Sequence, residues 1–113
     1  MTSYSYIPDK WVVVKISRRD KNPVYKVFAC WSGGFATGDS WRLNSGVTRV
    51  ARVKNRYEFE GSSGSAYLCH IGCYGSTVYG HSVLQNMIAN ASDAGVVTEI
   101  MPEDTDWLEI DYE

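Results

Sequence analysis

The 113-residue chain has no lysine or arginine after Arg56. Its eleven bases all lie between Lys10 and Arg56, where only three acids (Asp9, Asp20 and Asp39) oppose them, giving residues 1–56 a formal +8. Residues 57–113 carry the other ten acids and none of the bases, a formal −10, so the net charge of −2 conceals two opposed blocks. Long apolar runs are also missing. Stretches such as Trp11–Val14 fall far short of the roughly 20 residues that cross a bilayer, which excludes a transmembrane helix, and no membrane partner is expected. The opening Met1–Tyr6 has neither a basic segment nor an apolar one, so no secretory leader is expected. Cysteine is sparse and odd in number, at three, and the expectation is reduced thiols in a cytoplasmic setting.

What is present is an ordinary globular composition, 44% hydrophobic and 21% charged, in a length suited to a single domain over residues 1–113. Short strand patterns separated by turn signals dominate. Trp11–Ser17 places Val12, Val14 and Ile16 on one face and Trp11, Val13 and Lys15 on the other, and it forms a hairpin with Val24–Trp31. A glycine- and serine-rich loop over 32–46 contains a short strand at Ser40–Leu43. Val47–Val53, Tyr57–Glu60 and Ser65–Ile71 read as a three-stranded meander. One helix is expected from an N-cap at Ser76 to about Asn90, with Tyr79, Val83 and Met87 on its apolar stripe and Gly80 weakening its first turn. Val96–Met101 forms a further strand. In the tail, Leu108, Ile110 and Tyr112 alternate with Glu109, Asp111 and Glu113, an edge-strand pattern. The fold class is α+β: an antiparallel sheet of about five to seven strands with one main helix packed on it. The expected core is Val12, Val14, Ile16, Val27, Phe59, Leu68, Val83, Leu84, Met87, Ile88, Val96 and Ile100.

Three groups of residues carry candidate chemistry. Cys69, His70, Cys73 and His81 fall within thirteen residues, and thiolate with imidazole is the donor set zinc favours. On a strand, Cys69 and His70 point to opposite faces, which leaves Cys69, Cys73 and His81 as the metal or thiol-enzyme alternative. The spacing matches no standard finger, and a buried Cys69 with a surface His81 is the simpler account. Gly61-Ser62-Ser63-Gly64-Ser65 lacks the lysine of a phosphate loop and joins strand to strand, so it is a hairpin turn.

The basic half is the second group. Arg18, Arg19 and Lys21 sit at one hairpin, and Arg49, Arg52, Lys54 and Arg56 around the next. Together with nearby aromatics they form a nucleic-acid surface on one reading, cations for phosphate and rings for bases. The acidic half of the same domain can instead neutralise them, and a pI of about 5.6 is low for a nucleic-acid binder. The third group is the tail, where Glu99–Glu113 holds seven carboxylates in fifteen residues. Glu103, Asp104 and Asp106 cluster beside Trp107, and Phe35, Trp41 and Arg42 offer a second surface. A charged field with exposed aromatics suits docking to a protein partner.

Asp39–Gly46 and Tyr74–Leu84 resemble segments of small uncharacterised accessory proteins of tailed phages. The likeness covers about nineteen residues and carries no catalytic residues. It implies an accessory protein acting in the host cytoplasm by engaging host or viral macromolecules. The reading favoured by the residues is therefore a non-enzymatic binding protein without a cofactor, meeting a protein partner through a charge-polarised surface and an acidic, aromatic tail. The nucleic-acid surface and the Cys/His site stand as alternatives, and the opposed halves also suit a homo-oligomer in which basic and acidic faces meet.

Overall fold

A computed structural model of the chain describes residues 5–34 and 38–112. The elements run β1 (Ser5–Tyr6), β2 (Lys10–Ser17), β3 (Val24–Gly34), β4 (Gly38–Leu43), β5 (Val47–Val53), β6 (Arg56–Gly61), β7 (Ala66–His70), α1 (Val78–Asp93) and β8 (Val97–Ile100). The class is α+β, as the residue patterns predict, but the strands form two sheets of four rather than one. Their orders are β1-β7-β6-β5 and β4-β3-β2-β8, antiparallel throughout except for the parallel pair β1–β7.

The second sheet follows from β2 and β3, which are apolar on both faces. Val12, Val14, Phe28 and Cys30 pack beneath Leu84 of α1, while Trp11, Val13, Tyr25, Val27 and Ala29 point the other way. A strand apolar on both sides needs two covers, and here they are the helix on one face and the β1-β7-β6-β5 sheet on the other. Phe59, Tyr67 and Cys69 complete the layer between the sheets. The core therefore extends beyond the expected set. Leu68 lies half-buried away from this layer, and Ile100 is exposed on the edge strand β8.

Helix α1 is capped by Thr77, not Ser76: its Oγ1 accepts the Gly80 N–H at 3.0 Å. Gly80 is buried against β3, where a Cβ would stand 2.4 Å from the Cys30 Sγ. The contact line runs through Gly80 and Leu84, which turns Tyr79 out to half exposure and removes it from the predicted stripe. No described helix is long and apolar enough to cross a membrane.

The predicted edge strand at Leu108–Tyr112 does not form. The chain after Met101 makes successive turns instead, with Thr105 N–H donating to the Pro102 carbonyl and Glu109 N–H to that of Asp106. The Asp106 Oδ1 accepts the Leu108 N–H at 3.2 Å, a side-chain turn that competes with extended backbone. This coiling drives Trp107 between the sheets, and one buried tryptophan outweighs a two-residue alternation.

Candidate functional site

The charged tail and the aromatic core meet at one mouth of the sandwich. After β7, the residues Ile71-Gly72-Cys73-Tyr74-Gly75 cross this mouth beside β2. Trp11 N–H donates to the Cys73 carbonyl at 3.2 Å, and Gly75 N–H donates to the Trp11 carbonyl at 2.9 Å. Gly72 and Gly75 take positive φ angles of 98° and 140°, which lets the crossing turn sharply on either side of Tyr74. The indole N–H of Trp11 donates to the His70 carbonyl at 2.8 Å and fixes that ring.

Trp11 then anchors an aromatic cluster. Tyr74 stands edge-on to it at 4.7 Å and 88°, Trp107 lies at 6.0 Å, and Tyr57 at 6.5 Å. These four rings, with Ile71, Gly72 and Glu103, line a cavity of about 100 Å³. The Tyr74 hydroxyl accepts from Val13 N–H at 3.1 Å and donates to the Met101 carbonyl at 2.5 Å. Burial pushes its pKa up to about 12; the Val13 hydrogen bond opposes that rise, and the Glu103 charge adds to it. Because Trp11 and Trp107 are almost fully buried, the surface the cavity offers comes chiefly from Tyr57, Ile71, Gly72, Tyr74 and Glu103.

Glu103, Asp104 and Asp106 are all exposed on the turns flanking this cavity. Among the described residues, Glu103, Asp104, Asp106 and Glu109 have no cation at ion-pair distance. Trp107 differs from expectation. It is 1% exposed and packs against Trp11, Phe59 and Tyr74, so it anchors the tail and cannot itself meet a partner. The Tyr112 hydroxyl donates to the Trp107 carbonyl at 2.6 Å and holds the far end of this segment, residues 102–112, which straps the mouth of the sandwich.

The structure divides the other predicted surface. Trp41 is 37% exposed and stacks on Phe28 at 5.5 Å, near the helix. Arg42 points to the opposite face of β4, with its guanidinium 4.5 Å from the Tyr6 ring centre, bracing the two sheets. Phe35 lies outside the described residues.

The basic residues are likewise split between sheets. Arg18, Arg19 and Lys21 are exposed at the β2–β3 turn, whereas Arg49, Arg52, Lys54 and Arg56 belong to the β5–β6 hairpin. On that hairpin Arg49 pairs with Glu60 at 3.2 Å, and Arg56 donates twice to one oxygen of Glu58, at 3.1 and 2.8 Å. Arg52 donates to the Lys54 carbonyl and lies 5.9 Å from the Tyr57 ring centre. Neutralisation thus occupies part of the basic half, across the paired strands for Arg49–Glu60 and within β6 for Arg56–Glu58.

The Cys/His group is not assembled. Cys69 is sealed between the sheets, where burial pushes its thiol pKa well above the ordinary range. Cys73 is half-buried on the crossing segment, and His81 is exposed on the helix. Among the described residues, no three His, Cys, Asp or Glu side chains come together as a metal site. Sequence reasoning missed Trp11, Tyr57 and Tyr74 as wall residues. The available signal was Trp11 on the valine-rich strand's second face and the two glycines bracketing Tyr74. Comparison with protein-family models, with curated proteins and with solved structures yields no match to this chain.

Proposed function

We propose that the chain is a non-enzymatic binding protein that engages a basic protein partner through its acidic C-terminal strap. One observation carries this reading: Glu103, Asp104 and Asp106 are held at the surface by a strap pinned through buried Trp107, with none of the chain's described cations paired to them. A fixed acidic surface speeds encounter with a basic partner and loses little freedom on binding. The phage likeness makes that partner a host or viral protein.

The test uses a fluorescent peptide of alternating lysine and serine, followed by anisotropy at about 50 and 300 mM salt. The triple variant Glu103→Gln/Asp104→Asn/Asp106→Asn should lose most of the binding. A charge-matched control, Asp20→Asn/Asp93→Asn/Glu99→Gln, should keep it. Equal losses in both variants would mean that net charge alone attracts the peptide, and the reading fails.

A second reading keeps one observation in its favour: Arg18, Arg19 and Lys21 are exposed and, among the described residues, outside both ion pairs. On it, a single-stranded oligonucleotide binds the unvaried chain and is lost in Arg18→Gln/Arg19→Gln/Lys21→Gln. Sedimentation of the chain alone at the two salt concentrations separates either reading from charge-driven self-association.

A further inference from the structure

Past the end of α1, the helix side of the β4-β3-β2-β8 sheet is left as an open groove of about 390 Å³, within the size range of ligand pockets. Its floor is aliphatic. Ile16 packs on the helix side, its register partner Val24 shares that face, and Val96 closes the floor just after the helix ends. All three are half-buried. Lys26 lies on the same face opposite Val14, and Arg18 directly follows β2. Among the described residues neither cation has an ion-pair partner. The Ser45 Oγ accepts the Ser63 N–H at 3.0 Å, which leaves its own O–H to donate.

These walls suit an anion joined to an aliphatic side chain. Among the described residues no ring lines the groove, whereas the bases of a single strand stack on aromatic side chains. The chain itself carries the matching pair. Leu108 is 50% exposed, and Glu109 beside it is exposed with no described cation at ion-pair distance. Asp106 fixes both, its Oδ1 accepting the Leu108 N–H and its carbonyl the Glu109 N–H, so little freedom is lost when they dock. One copy cannot fill its own groove. Trp107 pins this turn between the sheets, and the groove opens on the other side of the β4-β3-β2-β8 sheet.

We infer that the groove takes Leu108 and Glu109 of a second copy of this chain, the leucine against Ile16, Val24 and Val96 and the carboxylate against Arg18 and Lys26. This goes beyond the strap reading, which rests on Glu103, Asp104 and Asp106. The groove and the turn are different surfaces, so the contact is heterologous and runs head to tail. Each copy offers one of each, and copies therefore add into open chains or close into a ring. With one apolar anchor and one carboxylate, the contact belongs among weak, salt-sensitive associations.

The test is sedimentation of the full chain over a concentration series at about 50 and 300 mM salt. Oligomers are expected at the lower salt with a dissociation constant of about 100 μM, weakened at least about fivefold at the higher. Leu108→Ser leaves every charge in place, and Arg18→Gln/Lys26→Gln leaves the strap in place. Each should sediment as a monomer where the unvaried chain assembles. Mixed, the two variants should pair one to one and grow no further, since each keeps the surface that the other lacks. A chain that stays monomeric at low salt, a Leu108→Ser variant that still assembles, or a mixture that does not pair would each overturn the inference. So would a single-stranded oligonucleotide that shifts the Ile16, Val24 and Val96 methyl resonances of a monomeric chain, because the groove would then belong to nucleic acid. The lysine–serine peptide reads the strap acids separately. Peptide binding by a chain that never assembles removes this inference alone, and assembly without peptide binding removes the strap reading alone.

Discussion

Val13 and Met101 are joined by one direct ladder bond and one that passes through a side chain. Met101 N–H donates to the Val13 carbonyl at 2.8 Å. The reciprocal bond is replaced by the Tyr74 hydroxyl, which accepts from Val13 N–H and donates to the Met101 carbonyl. An antiparallel pair of this kind ordinarily exchanges both bonds directly. The inserted hydroxyl spreads β2 from the departing chain and sets where the strap begins, two residues before Glu103.

Tyr74→Phe therefore leaves the N–H of buried Val13 and the C=O of half-buried Met101 without this partner and should cost about 1–3 kcal/mol in urea unfolding. The pH dependence follows from the same group. Its folded pKa of about 12 lies above the ordinary value of 10, so its contribution is fully present below pH 10 and is lost as pH rises toward 12. Alkaline titration of stability should show this decline, and Tyr74→Phe should lessen its slope. A variant as stable as the parent, with an unchanged slope, would mean that the hydroxyl is idle.

Gly80→Ala offers a test in which local preference and packing disagree. Helix propensity alone favours alanine by about 1 kcal/mol. The added Cβ, however, would stand 2.4 Å from the Cys30 Sγ, and relieving such overlap typically costs about 1–3 kcal/mol. The variant should be less stable by thermal melting, and pairing it with Cys30→Ala should recover part of the loss. A gain in stability from Gly80→Ala alone would show that the helix can shift away from β3 freely.

Much of the local structure was legible because turn residues and alternation act over short range. Val47–Val53 forms as a strand over the span its alternation marks, and Gly80 was visible as a weak point of the helix. What the sequence could not show is why that glycine is there, since Cys30 lies fifty residues away. The two-sheet arrangement was written in the second apolar face of Trp11 and Val13, but alternation marks a face without naming what covers it. The tail misled for a physical reason: Leu108, Ile110 and Tyr112 keep a strand period, yet Asp106 bonds its own backbone and Trp107 takes the buried site. The pocket itself depends on rings from β2, β6, the crossing segment and the strap, a juxtaposition set only by tertiary packing.

Trp107 and Leu108 are neighbours with opposite burdens. Trp107→Ala should cost about 3–5 kcal/mol, the range for emptying a large aromatic site in a core. Leu108→Ala, at a half-exposed position, should stay within about 0.5 kcal/mol. Urea unfolding of both variants gives the comparison. Similar small effects would show that the strap detaches at little cost and that its acids are not held in place.

The three thiols should separate by access. Cys30 and Cys69 are buried and Cys73 is half-buried, and Cys30 additionally lies under Gly80 and beside Thr77. A thiol must reach solvent and ionise before it reacts, and burial raises the pKa of both Cys30 and Cys69. An aromatic disulfide reagent should therefore label Cys73 alone in the folded chain and all three in urea, and Cys73→Ala should remove the fast phase. Because Cys73 hands its carbonyl to Trp11 N–H through the backbone, that variant should also leave the fold intact. Prompt labelling of Cys69 would require the two sheets to part on the reagent's timescale, and the closed aromatic layer described between them would then be wrong.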